Sequence, residues 1–451
     1  MKQFLKSLIT SLAVIVIAAL LIRLGYCYST AWRKPVPAHF SWETSQIAKS
    51  IAEGKGFANP YPGPETGPTG LMAPGYPFLL AGIFKVFGVY TRASYFAAIA
   101  LNYLFSVLTC IPIFFIAKRL GGSQLAVVSA WMWAIFPNAV VIPTDWIWDT
   151  SLTALLVATL LWVTLEIGES RRILHWVGFG MLWGAAIFVN PSVIILLPCM
   201  LAWILWRRRA QLARYLPLAA ATVGMVVICC VPWAARNYSV FHRFIPFRTN
   251  FGLELWLGNN RETQNVQPDA WSPYSNEPLR RKFIAYGEIQ FMRVKQAEAI
   301  AYISQNQSQF AHATWYRFLE TWTGVNGAFA DAWIRFPPLT RVPLLFNLFV
   351  GLAGIAGLLF LRRQNAQYFA PLAVIPAIYP VVYYLTHPAL RYRHPIDPAL
   401  VVLAAMTITY PFRLIATRKH SQFRDLAQAS LVTEPPYNSH ANANLPPART
   451  C

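Results

Sequence analysis

The chain has 451 residues, of which 56% are hydrophobic and only 12% charged, and its net charge is +20. Soluble domains carry about 25% charged residues, so the composition excludes an ordinary soluble globular protein and points to a polytopic membrane protein. Lys and Arg lie beside apolar runs, so the positive-inside rule and contact with anionic lipid explain the charge better than nucleic-acid binding does.

A helix needs about 20 apolar residues to cross a bilayer. Ten such runs occur, at 8–28, 93–117, 123–142, 150–168, 173–189, 191–206, 215–234, 342–361, 368–386 and 398–416. The first is long enough to span and no clear small-residue cleavage site follows it, so it reads as a retained span rather than a signal peptide. Lys2 and Lys6 place the N-terminus in the cytoplasm. Alternation then puts Lys118-Arg119, Arg171-Arg172, the stretch from Arg207 to Arg214, Arg362-Arg363 and the tail from Arg418 on that same side. Every one of these turns is basic, as the rule requires.

The expected organisation follows from this topology. Residues 1–234 form an N-terminal transmembrane module with an acidic first outer loop, 29–92. Residues 235–341 form an extracytoplasmic loop domain, 342–417 the C-terminal transmembrane helices, and 418–451 a polar, Pro-rich, disordered cytoplasmic tail. In the first loop, "WETSQIAKSIAEGKGF" reads as a short amphipathic helix. Trp42, Ile47, Ile51 and Ala52 share one face, Lys49 and Glu53 the other, and Gly54 and Gly56 end it. "PGYPFLLAGIFKVFG", 74–88, is apolar but too short to span and reads as interfacial or re-entrant. Residues 278–304 have helical spacing and should pack on the outer domain.

Acidic residues are scarce, and those near the outer boundary are Glu43, Glu65, Asp145, Asp149, Glu254, Asp331 and Asp397. None falls in mid-span, which disfavours a proton-relay transporter. Glu43 is either a first-turn carboxylate favoured by the helix dipole or a general base, its pKa raised by Trp42 and Phe40. Asp145 and Asp149 stand four residues apart. Asp149 with Thr150 and Ser151 can N-cap the next span. Alternatively, the two carboxylates face a cavity and hold an acceptor or a divalent cation, though the spacing is no specific metal signature. The six cysteines include no CxxC pair, so neither a disulfide framework nor a zinc site is indicated.

Arg236, His242, Arg243 and Arg248, and then Arg391, Arg393 and His394, all fall on outer loops, against the topology trend. Lipid head-group contact is one cause. An anion gripped by guanidinium groups is another. Carboxylates, arginines and many Trp and Tyr at one membrane face suit a polyprenyl-phosphate sugar: the phosphate pairs with Arg, and a carboxylate activates the acceptor hydroxyl.

The order of motifs resembles the C-type glycosyltransferase (GT-C) superfamily, in particular its membrane-bound family 39-like members, the protein mannosyltransferases and aminoarabinose transferase relatives. The likeness covers about residues 1–415. It rests on "WETSQIAKSIAEGKGF", "PGYPFLLAGIFKVFG", "FFIAKRLGG", "WAIFPNAVV", "VNPSVIILLPCML", "PWAARNYSVF" and "RYRHPIDPALVVLAA". It implies an all-α GT-C fold and inverting transfer of a hexose or pentose from a polyprenyl-phosphate donor to a lipid or protein acceptor. The setting implied is a plasma membrane, bacterial inner membrane by the compact loops. The family's Asp-Glu pair in the first outer loop reads Trp42-Glu43 here, so the base is Glu43, or else Asp149 or Asp145. The family's C-terminal basic motif maps to Arg391 and Arg393, which with the outward Arg236, Arg248 and His394 are the candidates to hold the donor phosphate. Two other classes compete: a lipid-linked sugar flippase, which needs a polar path through the bilayer, and a non-catalytic membrane assembly protein, which leaves the outward arginines unexplained.

Overall fold

The structure is a computed structural model and describes residues 10–38, 40–261, 271–323 and 338–410. Lys2, Lys6, Asp331, the end of the last apolar run and the tail from Arg418 lie outside the described residues. Met1–Thr407 form one compact unit, and everything below concerns that unit.

The described residues are predominantly helical and include no strand, only one isolated bridge between Ala58 and Pro68 in the first loop. The first apolar run is α1 (Leu12–Ser29). The outer-loop helix is α2 (Trp42–Ala52), and the run too short to span is α3 (Gly75–Phe87). The second and third runs become α4 (Arg92–Leu108) and α5 (Cys110–Ile135). Helix α5 is kinked into two segments: Gly121 and Gly122 leave the helical region, Gly122 at φ +79°, a conformation cheap only for glycine. That break follows Lys118-Arg119 and is the expected basic turn.

After α6 (Pro137–Asp145) come α7 (Thr150–Ile167), α8 (Ile173–Val189), α9 (Leu196–Arg207) and α10 (Leu212–Phe241). Helices α8 and α10 touch through small residues. A Cβ on Gly180 would meet the Thr222 carbonyl at 2.6 Å, and one on Gly184 would meet Cys229 at 2.5 Å. A small-xxx-small pair lets spanning helices approach where lipid offers no hydrophobic drive.

The loop domain contributes α11 (Phe251–Gly258), α12 (Glu277–Tyr286), α13 (Glu288–Gln305) and α14 (Gln307–Thr323). The expected single helix over 278–304 is interrupted at Gly287, φ +69°. The chain ends with α15 (Pro338–Asn365), α16 (Phe369–Ile378), α17 (Val381–Leu385), the short α18 (Leu390–Arg393) and a helix from 397.

Five helical stretches among the described residues are long and apolar enough to cross a membrane, two of them composite, at Arg92–Asp145 and Arg341–Leu385; α3, α8 and the stretch Pro191–Arg207 are shorter. Glycine and proline breaks thus divide the ten apolar runs unevenly. Leu21 on α1, Ile228 on α10 and Leu352 on α15 are about 61–62% exposed. Apolar side chains left open on spanning helices are what a lipid solvent permits.

Two ends of the bundle can be distinguished. At one, the kink of α5 and the turns after α7, α9 and α15 meet: Arg119 pairs with Glu166 and Glu169, Arg208 with Glu169, and Arg207 bonds to Gln367. At the other, the first loop is tied to the loop domain by a buried carboxylate. Glu288 accepts from Thr69 Oγ1 (2.5 Å), the Gly70 amide (2.8 Å) and Thr249 Oγ1 (2.5 Å). Tyr61, Leu71, Trp256, Phe283 and Phe291 form the apolar core of that junction.

Candidate active site

The second end encloses a cavity of about 360 Å3. Its wall comes from the start of α2, the α6–α7 loop, residues 190–192, the stretch 247–257 and residues 379–395. Glu43, Asp149, Arg248 and Arg391 all line it.

Glu43 stands in the first turn of α2, and the chain enters that turn strained. Ser41 and Trp42 are both left-handed, at φ 69° and 45°, a region bulky side chains avoid at a cost of about 1–3 kcal/mol. The Trp42 ring rests on Tyr274 at 5.2 Å, and the Ser45 hydroxyl donates to the Trp42 carbonyl at 3.0 Å. These contacts hold the turn and aim Glu43 at the cavity, where Ser272 Oγ donates to it at 3.2 Å. Burial pushes Glu43 up to about 7; the charge of Glu254 adds to this, while the Ser272 bond and Arg391 oppose it.

Asp149 immediately precedes α7 but makes no side-chain cap to it. Its carboxylate accepts instead from Asn190 Nδ2 at 3.2 Å. The Asn190 carbonyl oxygen accepts from the Ser192 amide at 3.1 Å, which fixes the orientation of that amide group. Burial pushes Asp149 up to about 6 against the opposing charges of Arg248 and Arg391. Asp145 does not join it. Trp146 is extended, at φ −125° and ψ 92°, so the helical register is lost between the two aspartates. Asp145 faces Tyr26 and Lys34 instead.

Arg391 lies over two indoles, 4.4 Å from the Trp146 centroid and 5.2 Å from that of Trp148, and donates to the Tyr392 hydroxyl at 3.2 Å. Such stacking keeps a guanidinium in place without neutralising it. Arg248 lines the same cavity. The other three basic candidates are placed elsewhere. Arg236 donates to the Thr69 and Phe57 carbonyls at 2.6 and 2.8 Å, beside the Trp233 ring, and so clamps the first loop to α10. Arg393 is fully buried; it donates to Asp397 at 3.1 Å and to the Trp322 and Asn347 carbonyls. His394 is equally buried, stacked on Trp133 at 5.3 Å and bonded to Asp397 at 3.1 Å. These three satisfy internal groups rather than the cavity.

The structure adds residues that the sequence did not single out for the site. Glu254, seen there only as one boundary acid among seven, lines the cavity and meets His387 Nε2 at 2.7 Å. It also accepts from Asn250 Nδ2 at 2.8 Å. Burial alone would push Glu254 up, but His387 and Arg248 hold it below the usual range. Tyr61, 2% exposed, brings to the cavity wall a buried hydroxyl that has no hydrogen-bond partner among the described residues. A site of this kind, with few convergent polar groups among aromatic walls, is how small-molecule pockets are built. No group of three His, Cys, Asp or Glu among the described residues could hold a metal ion.

An all-α membrane bundle with a carboxylate- and arginine-lined cavity at one end defines a protein of the GT-C fold. Residues 71–234 match the model of the dolichyl-phosphate-mannose-protein mannosyltransferase family, under half of the chain. Among solved structures, the oligosaccharyltransferase of Archaeoglobus fulgidus bound to zinc and sulfate aligns with a TM-score of 0.56 at 14% identity, over 92% of this chain and 51% of that one. The same archaeal protein, AglB, in complex with an inhibitory peptide and a dolichol-phosphate aligns with a TM-score of 0.56 at 15% identity, over 96% and 52%. ArnT from Cupriavidus metallidurans bound to undecaprenyl phosphate aligns over 88% and 78% at 14% identity, with a TM-score of 0.39. The chain spans about half the length of the archaeal structures. No curated protein matches it in sequence.

Proposed function

We propose that the protein is an inverting glycosyltransferase that moves a sugar from a polyprenyl-phosphate donor to an acceptor at the extracytoplasmic face of a membrane. One observation carries the reading: Glu43 and Asp149 share one open-mouthed cavity with Arg248 and Arg391 at a single end of a spanning bundle. The opposite end gathers the basic turns, which favours cytoplasmic placement of that end. The family match over 71–234 and the dolichol-phosphate in the archaeal neighbour agree with a lipid-phosphate donor.

In this reading Glu43 takes the proton of the acceptor hydroxyl. The hydroxyl oxygen bonds to the anomeric carbon from the face opposite the phosphate. The bond from that carbon to the phosphate oxygen breaks, and its electron pair leaves with the lipid phosphate, whose growing charge Arg391 and Arg248 offset. Glu43 suits the base because burial sets it near neutrality and Ser272 is the one side chain hydrogen-bonded to it among the described residues. A base titrating near the working pH transfers protons best. Asp149, held by Asn190, orients the acceptor.

The test is release of polyprenyl phosphate by purified protein in lipid, across a panel of polyprenyl-phosphate sugars. Glu43→Gln should slow release by about 10²–10⁴-fold, the usual contribution of a general base. Arg391→Ala should weaken donor binding roughly ten- to hundredfold, as loss of a charge-assisted contact does. Undiminished release by a folded Glu43→Gln protein removes Glu43 from the role. Binding of every donor without release from any would replace the enzyme reading with a carrier.

A further inference from the structure

Resting on the glycosyl-transfer reading, the geometry points to His387 as a second catalytic residue: its Nδ1 donates a proton to the departing phosphate oxygen, with Glu254 holding the ring from the other side. His387 is 6% exposed and lines the cavity. Its Nε2 lies 2.7 Å from Glu254 Oε2. Glu254 is ionised, since His387 and Arg248 hold it below the usual carboxylate range. An ionised carboxylate only accepts, so Nε2 carries a proton whether the ring is neutral or charged, and the second proton of the imidazolium sits on Nδ1. That leaves Nδ1 as the nitrogen for the cavity, and among the described residues it makes no hydrogen bond.

The ring also packs beside the segment that carries Arg391. It lies 5.7 Å from Tyr392, whose hydroxyl accepts from Arg391, and Arg248 acts on the same Glu254. Behind it, Arg317 on α14 donates to the Gly258 carbonyl and to the Tyr384 and Leu385 carbonyls, fixing the end of α17 just ahead of His387. The charged and titratable groups around the ring are therefore Glu254 and Arg248 from the loop domain, Arg391 and Tyr392 from its own segment, Tyr383 from α17, and Glu43 across the cavity.

The proton balance closes with this residue. The acceptor hydroxyl gives its proton to Glu43. The leaving phosphate passes from a singly charged diester to a monoester, and the imidazolium Nδ1–H goes to that monoester as the sugar–oxygen bond breaks. His387 is left neutral and Glu43 protonated, and the exchange of these two protons with water restores the site. The proton given to the phosphate is the histidine's, so transfer should decline on the alkaline side of the pH profile. The Glu43 base imposes the opposite limb on the acid side.

The experiment is the pH profile of kcat/KM for polyprenyl phosphate release by full-length protein in lipid vesicles, for wild type, His387→Gln, His387→Lys and Glu254→Gln. His387→Gln should lower kcat/KM on the order of 10²-fold, at the lower end of general-acid effects, and lose the alkaline limb. His387→Lys should recover part of the rate with the limb moved upward, which a purely structural histidine would not do. Glu254→Gln should lower kcat/KM in the same direction as His387→Gln but by less, since it removes the group that holds the ring. An alkaline limb unchanged in folded His387→Gln overturns the assignment while leaving the transferase reading intact. Absence of release by wild type for every donor overturns both.

Discussion

At the two ends of the bundle the same residue types meet in opposite ways. In the basic turns, Arg119 and Arg208 reach Glu166 and Glu169 at 2.9–3.4 Å, and all four side chains are 28–52% exposed. In the cavity, Glu43 and Asp149 form no ion pair among the described residues, and burial lifts both toward neutrality. Exposed pairs contribute about 0–1 kcal/mol. A buried carboxylate without a counter-ion costs stability instead. A fold that pairs its acids at one end and leaves two of the three cavity acids without an ion pair at the other spends stability at the second, and that is where chemistry is to be sought.

The same contrast recurs two residues apart in "RYRHPID". Arg391 is stacked on indoles and lines the cavity, whereas Arg393 is locked to Asp397 with neither side chain exposed. Arg393→Ala should therefore have the largest effect on stability, about 3–5 kcal/mol, because it strands a buried charge. Chemical denaturation in detergent would measure it, and a loss under 1 kcal/mol would erase the distinction between the two arginines. Next comes the pH dependence of stability. Glu43 has its folded pKa raised to about 7 from an ordinary 4.5, so the folded state binds the extra proton between those values. Its destabilising contribution grows as pH rises through that window. Glu43→Gln should consequently raise Tm more at pH 8 than at pH 4.5, and an equal shift at both would show that Glu43 is not desolvated in the folded protein. The smallest effect belongs to the basic turns: Glu169→Gln should change stability by no more than about 1 kcal/mol and fade in high salt.

Much of the scaffold was legible because lipid imposes simple demands. Apolar runs of spanning length had to be helices, and Gly121-Gly122 beside Lys118-Arg119 had to be a turn. Helix α2 and the place of Glu43 within it followed from period and glycine stops. The outward arginines were visible as an anomaly, but not their partners. Arg393 illustrates the limit, although Asp397 four residues on offered the i,i+4 spacing that would have found its pair. Arg236 could not be sorted, since its acceptors are backbone carbonyls of residues 57 and 69, which any sequence supplies. The meeting of Glu254 with His387 spans 133 residues, and neither sits in a local pattern that names the other. The α6 terminus separated Asp145 from Asp149 through one extended residue, Trp146, and i,i+4 arithmetic assumes the helix continues.

Glu288 reaches back 219 positions to Thr69, and Ser272 reaches back 229 to Glu43. During synthesis the first loop therefore emerges long before the groups that anchor it. At about 5–20 residues per second, Glu43 waits on the order of 20–70 s for Arg391 to be made. The cavity is thus among the last features of the protein to exist, and a nascent chain halted before α13 would carry its carboxylate exposed and idle.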